Sequence, residues 1–440
     1  MSGTQVKLER PDSHVVRADA IQTEPAQAAE NTAHDPYAAL RVAAFRLFVL
    51  GRNISGLGDQ MQSVVVGWQL YQRTNQPLTL GYVGLIQALP IILFALPAGH
   101  VADRYSRKNV AIIAQLAVCA GSLLLAILSV TEASLGLFYS CLFFTSSARA
   151  FGNPARGALL PHVVPSPLLS SAISWDTSVR RIAVMSGAAA GGGLLYWLHF
   201  AASVYLVTAG LGIVSALLLA QLPNYPQPKQ SREPVTLQTL LAGIVYIRQT
   251  PIILATITLD LFAVLLGGVT TLMPIYAKDI LNVGPGGLGW LRAAPSAGAL
   301  CMALFLAHRR PFTFPGRSML WAVAGFGVAT IVFGYSRSLP LSLAALFWVG
   351  ALDMISVVVR QTLVQTLTPN AMRGRVNAVN SVFMNSSNEI GGFESGVVAQ
   401  WTSPLWSVVS GGMGTLLVVG AAALIWPAIA RYRPPAKETK

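Results

Sequence analysis

The 440-residue sequence predicts an all-α polytopic membrane protein, with twelve transmembrane helices in two six-helix pseudo-repeat bundles. Three observations predict it. Hydrophobic residues make up 53% of the chain and charged residues only 11%, against roughly 25% charged in an ordinary soluble domain. Mean hydropathy is +0.57. Apolar runs near the ~20 residues that a bilayer crossing needs recur about twelve times, separated by short segments rich in Pro, Gly and charge.

In chain order, residues 1–41 form a polar N-terminal tail with six acids against four bases. No apolar stretch of the signal-peptide type is visible in it. Residues 42–222 hold six runs, at 43–72, 80–98, 109–130, 135–155, 171–196 and 201–222. A linker over 223–251 opens Pro223-Asn224-Tyr225-Pro226 and divides the chain. Residues 252–429 hold six more runs, at 252–276, 288–307, 318–335, 341–364, 376–399 and 405–429, before a basic tail over 430–440. A faint repeat supports two parallel halves: Arg156 precedes Pro165 by nine residues as Arg360 precedes Pro369, at an offset of 204.

The net charge of +13 is a topology signal, not a nucleic-acid footprint, because the bases sit in short loops between apolar runs. Tails and even-numbered connections carry twenty Lys/Arg and the opposite loops three (Arg73, Lys278, Arg337). Both termini are therefore expected in the cytoplasm. Cys119, Cys141 and Cys301 lie inside apolar runs without paired spacing, so neither a disulfide framework nor a metal site is expected.

Between spans 2 and 3 stands Gly99-His100-Val101-Ala102-Asp103-Arg104-Tyr105-Ser106-Arg107-Lys108. Bases alone would serve as anchors, but acids contribute little to orientation, so Asp103 needs another reason. It can pair with Arg107 or sit at a helix N-terminus. This segment resembles the loop signature G-x-L-A-D-R-x-G-R-[RK] of the major facilitator superfamily, departing at Val101 and Ser106. Four further stretches look like its enterobactin-exporter-like branch of drug:proton antiporters: Arg52 to Asp59, Phe151 to Pro161, Leu265-Leu266-Gly267-Gly268 and Arg373-Gly374-Arg375-Val376. The resemblance covers about residues 40–430. It implies a gating loop at Gly99, Asp103, Arg104, Arg107 and Lys108, latching against the start of span 11. The corresponding loop of the second half, Ala307-His308-Arg309-Arg310, keeps the bases and lacks the acid.

Ionisable residues inside spans are expensive in hydrocarbon and by default face the bundle interior. In span 1, Arg52, Ser55, Asp59, Gln62 and Gln69 form one polar stripe. Asp59 is either a cavity residue or the salt-bridge partner of Arg52, seven residues away on the same face. Asp260 in span 7 has no base within its span. Low dielectric disfavours the charge of an unpaired carboxyl, which makes Asp260 the expected proton carrier, or else a neutral interhelical hydrogen-bond donor. Span 11 carries Asn385, Asn388, Glu389 and Glu394. The two Glu are five apart, about 140° around a helix, so Gly391-Gly392 is expected to break the helix if both serve one cavity. At least one of them is expected to be a coupling or substrate-cation site. Asp176 with Arg180, four apart, and Asp353 with Arg360, seven apart, are expected to be structural or gating pairs. Arg149 either matches the superfamily's fourth-helix Arg or snorkels.

The expected function is secondary active transport. The resemblance implies proton-coupled efflux of an amphipathic small molecule, drug or siderophore-like, by alternating access. A lysophospholipid or metal-ion transporter of the same fold is the alternative. A membrane-embedded enzyme is a remote one, since the chain has neither HExxH nor GxSxG. No cofactor is expected beyond a proton gradient. The expected partners are a small-molecule substrate and the bilayer, and the protein is expected to act as a monomer in the bacterial inner membrane.

Overall fold

A computed structural model describes residues 37–225, 237–309 and 312–432, and among these every regular element is a helix. The N-terminal tail before 37, linker residues 226–236 and the basic tail from 433 lie outside the described residues. Span 1 is Ala43–Thr74, and span 2 is two helices, Pro77–Leu93 and Ala95–Arg104. Spans 3 to 6 are Arg107–Val130, Leu135–Val163, Leu169–Leu198 and Ala201–Ala220. Span 7 is Pro251–Leu266 and Val269–Ile275 with a π-turn over Tyr276–Ile280. Spans 8 to 12 are Gly284–Ala307, Pro315–Tyr335, Leu339–Leu367, Asn370–Trp401 and Pro404–Ile425. Seven of these helices are long and apolar enough by composition alone to cross a membrane. Spans 1, 4, 5 and 11 carry more polarity, among it Arg52, Asp59, Arg149, Arg156, Asp176 and Glu389.

The punctuation residues act as their chemistry dictates. Proline opens spans 2, 7, 9 and 12, where its missing N–H costs nothing. Ser106 caps span 3 and Ser403 caps span 12 through their hydroxyls. Asn75 and His199 end spans 1 and 5 in the left-handed conformation. Half of the stretch read as linker is instead a helix, Leu237–Gln249, packed on span 11.

Within the first half, span 3 packs on spans 4 and 6, and span 1 on spans 5 and 6. The second half repeats the plan, with span 9 on spans 10 and 12. Two long seams join the halves, span 2 against span 11 and span 5 against span 8. Both close toward the face opposite the termini, called here the far face. Backbones touch there: a Cβ on Gly396 would stand 2.7 Å from Gly81 Cα, and one on Gly192 would stand 2.5 Å from Pro285 O. Lys278 Nζ donates to Asn75 Oδ1 at 2.5 Å, and Tyr71 donates its hydroxyl to the Asp279 carboxylate.

The expected break at Gly391-Gly392 does not occur; span 11 is continuous through it. The missing side chains serve proximity instead, since a Cβ on Gly391 would meet Leu265 O at 2.6 Å. The break falls instead on the neighbouring helix of the same half, at Gly267-Gly268 of span 7, where Val269 N donates to Gly267 O at 2.6 Å.

Candidate functional site: a polar cavity between the halves

That break presents Thr270 and Thr271 to a cavity of about 400 Å³ between the halves. Span 1 contributes Gln60, Ser63 and Gly67, and span 2 contributes Gly84 and Gln87. Across from them stand Arg292 of span 8 and Asn388 and Glu389 of span 11. Gly84 admits the Glu389 backbone, its would-be Cβ lying 2.7 Å from the Glu389 carbonyl. Arg292 Nη1 donates to Ser63 Oγ at 3.3 Å. Unwound backbone and polar side chains at the interface of two repeats are the usual setting of a transport site.

Of the residues singled out in the sequence, Asn388 and Glu389 line this cavity. Glu394 lies beside Ser395, whose hydroxyl is 3.4 Å from Oε2, and is not among the cavity's lining residues. The side chains of Asn385 and Asp103 lie outside the described ones. Gly99 has open space around it, Arg104 is exposed, and Lys108 Nζ donates to Leu222 O at 2.5 Å. Arg107 turns to span 4, donating to Ala158 O at 3.2 Å and meeting His162 Nε2 at 2.6 Å.

The ion pairs are rearranged relative to expectation. Asp59 does not face Arg52; it accepts from Arg149 of span 4 at 2.8 Å, so Arg149 does not snorkel either. Arg52 reaches Asp176 of span 5 at 2.9 Å, which displaces the expected Asp176–Arg180 pair and leaves Arg180 exposed. Asp260 is not without a base: Arg360 of span 10 lies 3.5 Å away, and Ser356 donates to its Oδ1 at 3.0 Å. Arg360 also donates to Asn380 Oδ1 at 3.0 Å, in place of the closed Asp353–Arg360 pair expected from spacing. Asp353 shares a small pocket with Asp260 and Ser356, within electrostatic range of Arg181 and Arg360. One physical reason covers the two pairs expected at a seven-residue spacing, Asp59–Arg52 and Asp353–Arg360. A carboxyl seven residues from a base is about 10.5 Å away along one helix, whereas helices packed 8–10 Å apart bring side chains into direct contact.

The faint repeat gains a structural meaning. Arg156 and Arg360, 204 apart, are both buried, and each donates to an amide oxygen, of Gln115 and Asn380 respectively. The span 1 stripe also faces protein, since Ser55 donates to Gln115 Oε1, Gln62 accepts from Ser122 and Gln69 from Tyr205. The cavity face of span 1 is therefore Gln60 and Ser63. These two, Gln87, Arg292 and Arg181 were missed by sequence reasoning. The lone Arg292 inside the apolar run 288–307 was the signal that could have found the site.

Twelve spans in two pseudo-equivalent halves around one polar cavity, closed toward one face, define a membrane transporter. The chain belongs to the Major Facilitator Superfamily, whose profile matches residues 48–392, and it is a transporter and not an enzyme. Among its relatives are proteins named Enterobactin exporter EntS, from Escherichia coli O1:K1 / APEC and from Shigella boydii serotype 18 (strain CDC 3083-94 / BS512). Each is 27% identical over 401 residues, 89% of this chain and 94% of the relative. Similar solved structures include the nucleoside transporter NupG, at TM-score 0.66 and 14% identity over 89% of this chain and 100% of that one. Another is a bacterial homologue of the human lysosomal transporter Spinster in an inward-facing, occupied conformation, at TM-score 0.66 and 13% identity over 92% and 100% of the two chains.

Proposed function

We propose that this transporter exports an amphipathic, siderophore-like small molecule by alternating access, driven by the proton gradient. The observation that carries the reading is the buried Asp260–Arg360 contact between spans 7 and 10, about two turns before the break in span 7 whose far segment lines the cavity. Protonating Asp260 cancels its attraction for Arg360, so proton occupancy biases the packing of two helices that must move when the cavity changes sides. Supporting the cargo class is the relatives' name, Enterobactin exporter, and supporting the cytoplasmic placement of both termini is the Lys/Arg asymmetry. The far face is then external and the bacterial inner membrane the site of action. The units are a six-helix bundle over 42–222 and another over 252–429, working as a monomer.

Inverted membrane vesicles test the reading, with enterobactin as probe. Energised vesicles carrying the protein should accumulate it, and collapse of the pH gradient should release it. Accumulation indifferent to the gradient would overturn proton coupling.

A further inference from the structure

Among the described residues three opposite-charge contacts inside the bundle are closed: Arg52–Asp176 at 2.9 Å, Arg149–Asp59 at 2.8 Å and Arg360–Asp260 at 3.5 Å. Arg292 and Glu389 are different. Both line the central cavity and act on each other electrostatically, yet no ion pair within 4.0 Å joins them among the described residues. The cavity keeps them apart. Arg292 offers five N–H donors; Nη1 reaches Ser63 Oγ at 3.3 Å, while its buried Nε has no hydrogen-bond partner. The fork lies alongside Gly67, with Nη2 3.7 Å from where a Cβ would stand, an ordinary contact distance.

The two charges are not equivalent. Glu389 can lose its charge by taking a proton, whereas an arginine in a protein keeps its own. Arg149, the other base within electrostatic range of Glu389, is already matched by Asp59. The permanent charge in the cavity is therefore positive, and its donors are incompletely used. A planar oxyanion is the group that fits a guanidinium fork, through two parallel charge-assisted hydrogen bonds. We infer, resting on the transport reading above, that the cargo carries a carboxylate-like oxyanion seated on Arg292. Its neutral polar groups bond to Gln60 and Gln87 on the opposite wall, and Glu389 opposes the anion. This reverses the expectation from sequence that the span 11 carboxyls receive a cation.

The test uses purified full-length protein in lipid nanodiscs and a matched pair of probes, salicylate and its neutral amide, salicylamide, by isothermal titration without any gradient. Salicylate should bind about tenfold or more tightly than salicylamide, the worth of a hydrogen-bonded charge pair. Arg292→Gln should remove that preference, weakening salicylate about tenfold more than it weakens salicylamide. Glu389→Gln should tighten salicylate severalfold, because a repelling carboxylate is gone. Arg292→Lys, which keeps the charge and loses the fork, should weaken salicylate about threefold or more; it decides the matter if Arg292→Gln does not fold. Equal affinities for the two probes, no saturable salicylate binding, or salicylate affinity untouched by either Arg292 variant would each overturn the oxyanion site. Failure here leaves efflux standing with a neutral cargo, whereas intact salicylate binding without energised accumulation strikes the transport reading alone.

Discussion

Adding a single methyl group at Gly192 should open the far face. In the structure a Cβ at this position stands 2.5 Å from Pro285 O and 2.6 Å from both Gly289 Cα and N. All three obstacles are backbone, so no side chain can swing away and span 5 must separate from span 8. Overpacking of this kind costs ~1–3 kcal/mol. That cost falls on the far-side-closed state alone, so it shifts the balance toward the far-side-open state by about 5- to 160-fold. Gly193, one residue on, has nothing within 4 Å of its would-be Cβ and provides the internal control. Spin labels at Thr131 and Ser338, exposed sites in the far-face loops of opposite halves, report the separation by double electron–electron resonance. Gly192→Ala should raise the long-distance population, and Gly193→Ala should match the parent protein. Identical distance distributions for Gly192→Ala and the parent would refute the claim that backbone contact closes this seam.

Tyr71→Phe should move the same distribution in the same direction by a smaller step. It removes one hydrogen bond worth ~0.5–1.5 kcal/mol, on an exposed Asp279. Asp260→Asn should abolish gradient-driven accumulation in inverted vesicles while gradient-free counterflow persists, and retained accumulation would reduce Asp260 to a structural partner of Arg360. Asp59→Asn should lower the thermal midpoint, because it strands the Arg149 guanidinium now met at 2.8 Å. Both partners are partly exposed, so the cost should be about 1–3 kcal/mol, below that of breaking a fully buried pair. Adding Arg149→Met should recover most of the loss. A cysteine at Asn282, in the turn between spans 7 and 8, should react with an impermeant maleimide in intact cells; protection there would reverse the proposed orientation.

Span number, the two halves and the interior placement of charge were legible because each depends on composition summed over a local window. Twenty apolar residues suffice to span a bilayer wherever they occur, and a buried charge must avoid lipid whatever its partner. Even the 204-residue offset, faint as a sequence repeat, marks Arg156 and Arg360 in equivalent helices, spans 4 and 10, although their amide partners, Gln115 and Asn380, lie on non-equivalent spans 3 and 11. Span 7 was harder to read. Gly267-Gly268 and Gly391-Gly392 are the same dipeptide, yet only the first breaks its helix, while the second admits the carbonyl of Leu265 from the neighbouring span. A glycine pair permits either outcome, and the helix opposite it selects.

The sequence by itself determined the class of molecule, a twelve-span transporter with buried carboxyls and bases, since burial energetics are properties of each segment. Partnership was decided only by the tertiary structure. Asp59 and Arg52 share a helix face seven residues apart, but side chains on helices packed 8–10 Å apart come closer than residues two turns apart on one. Packing accordingly gave Asp59 to Arg149, Arg52 to Asp176 and Asp260 to Arg360. It also left Arg292 and Glu389 facing one another across open space, an arrangement that no periodicity within one span encodes, because it exists only where five spans of two halves converge.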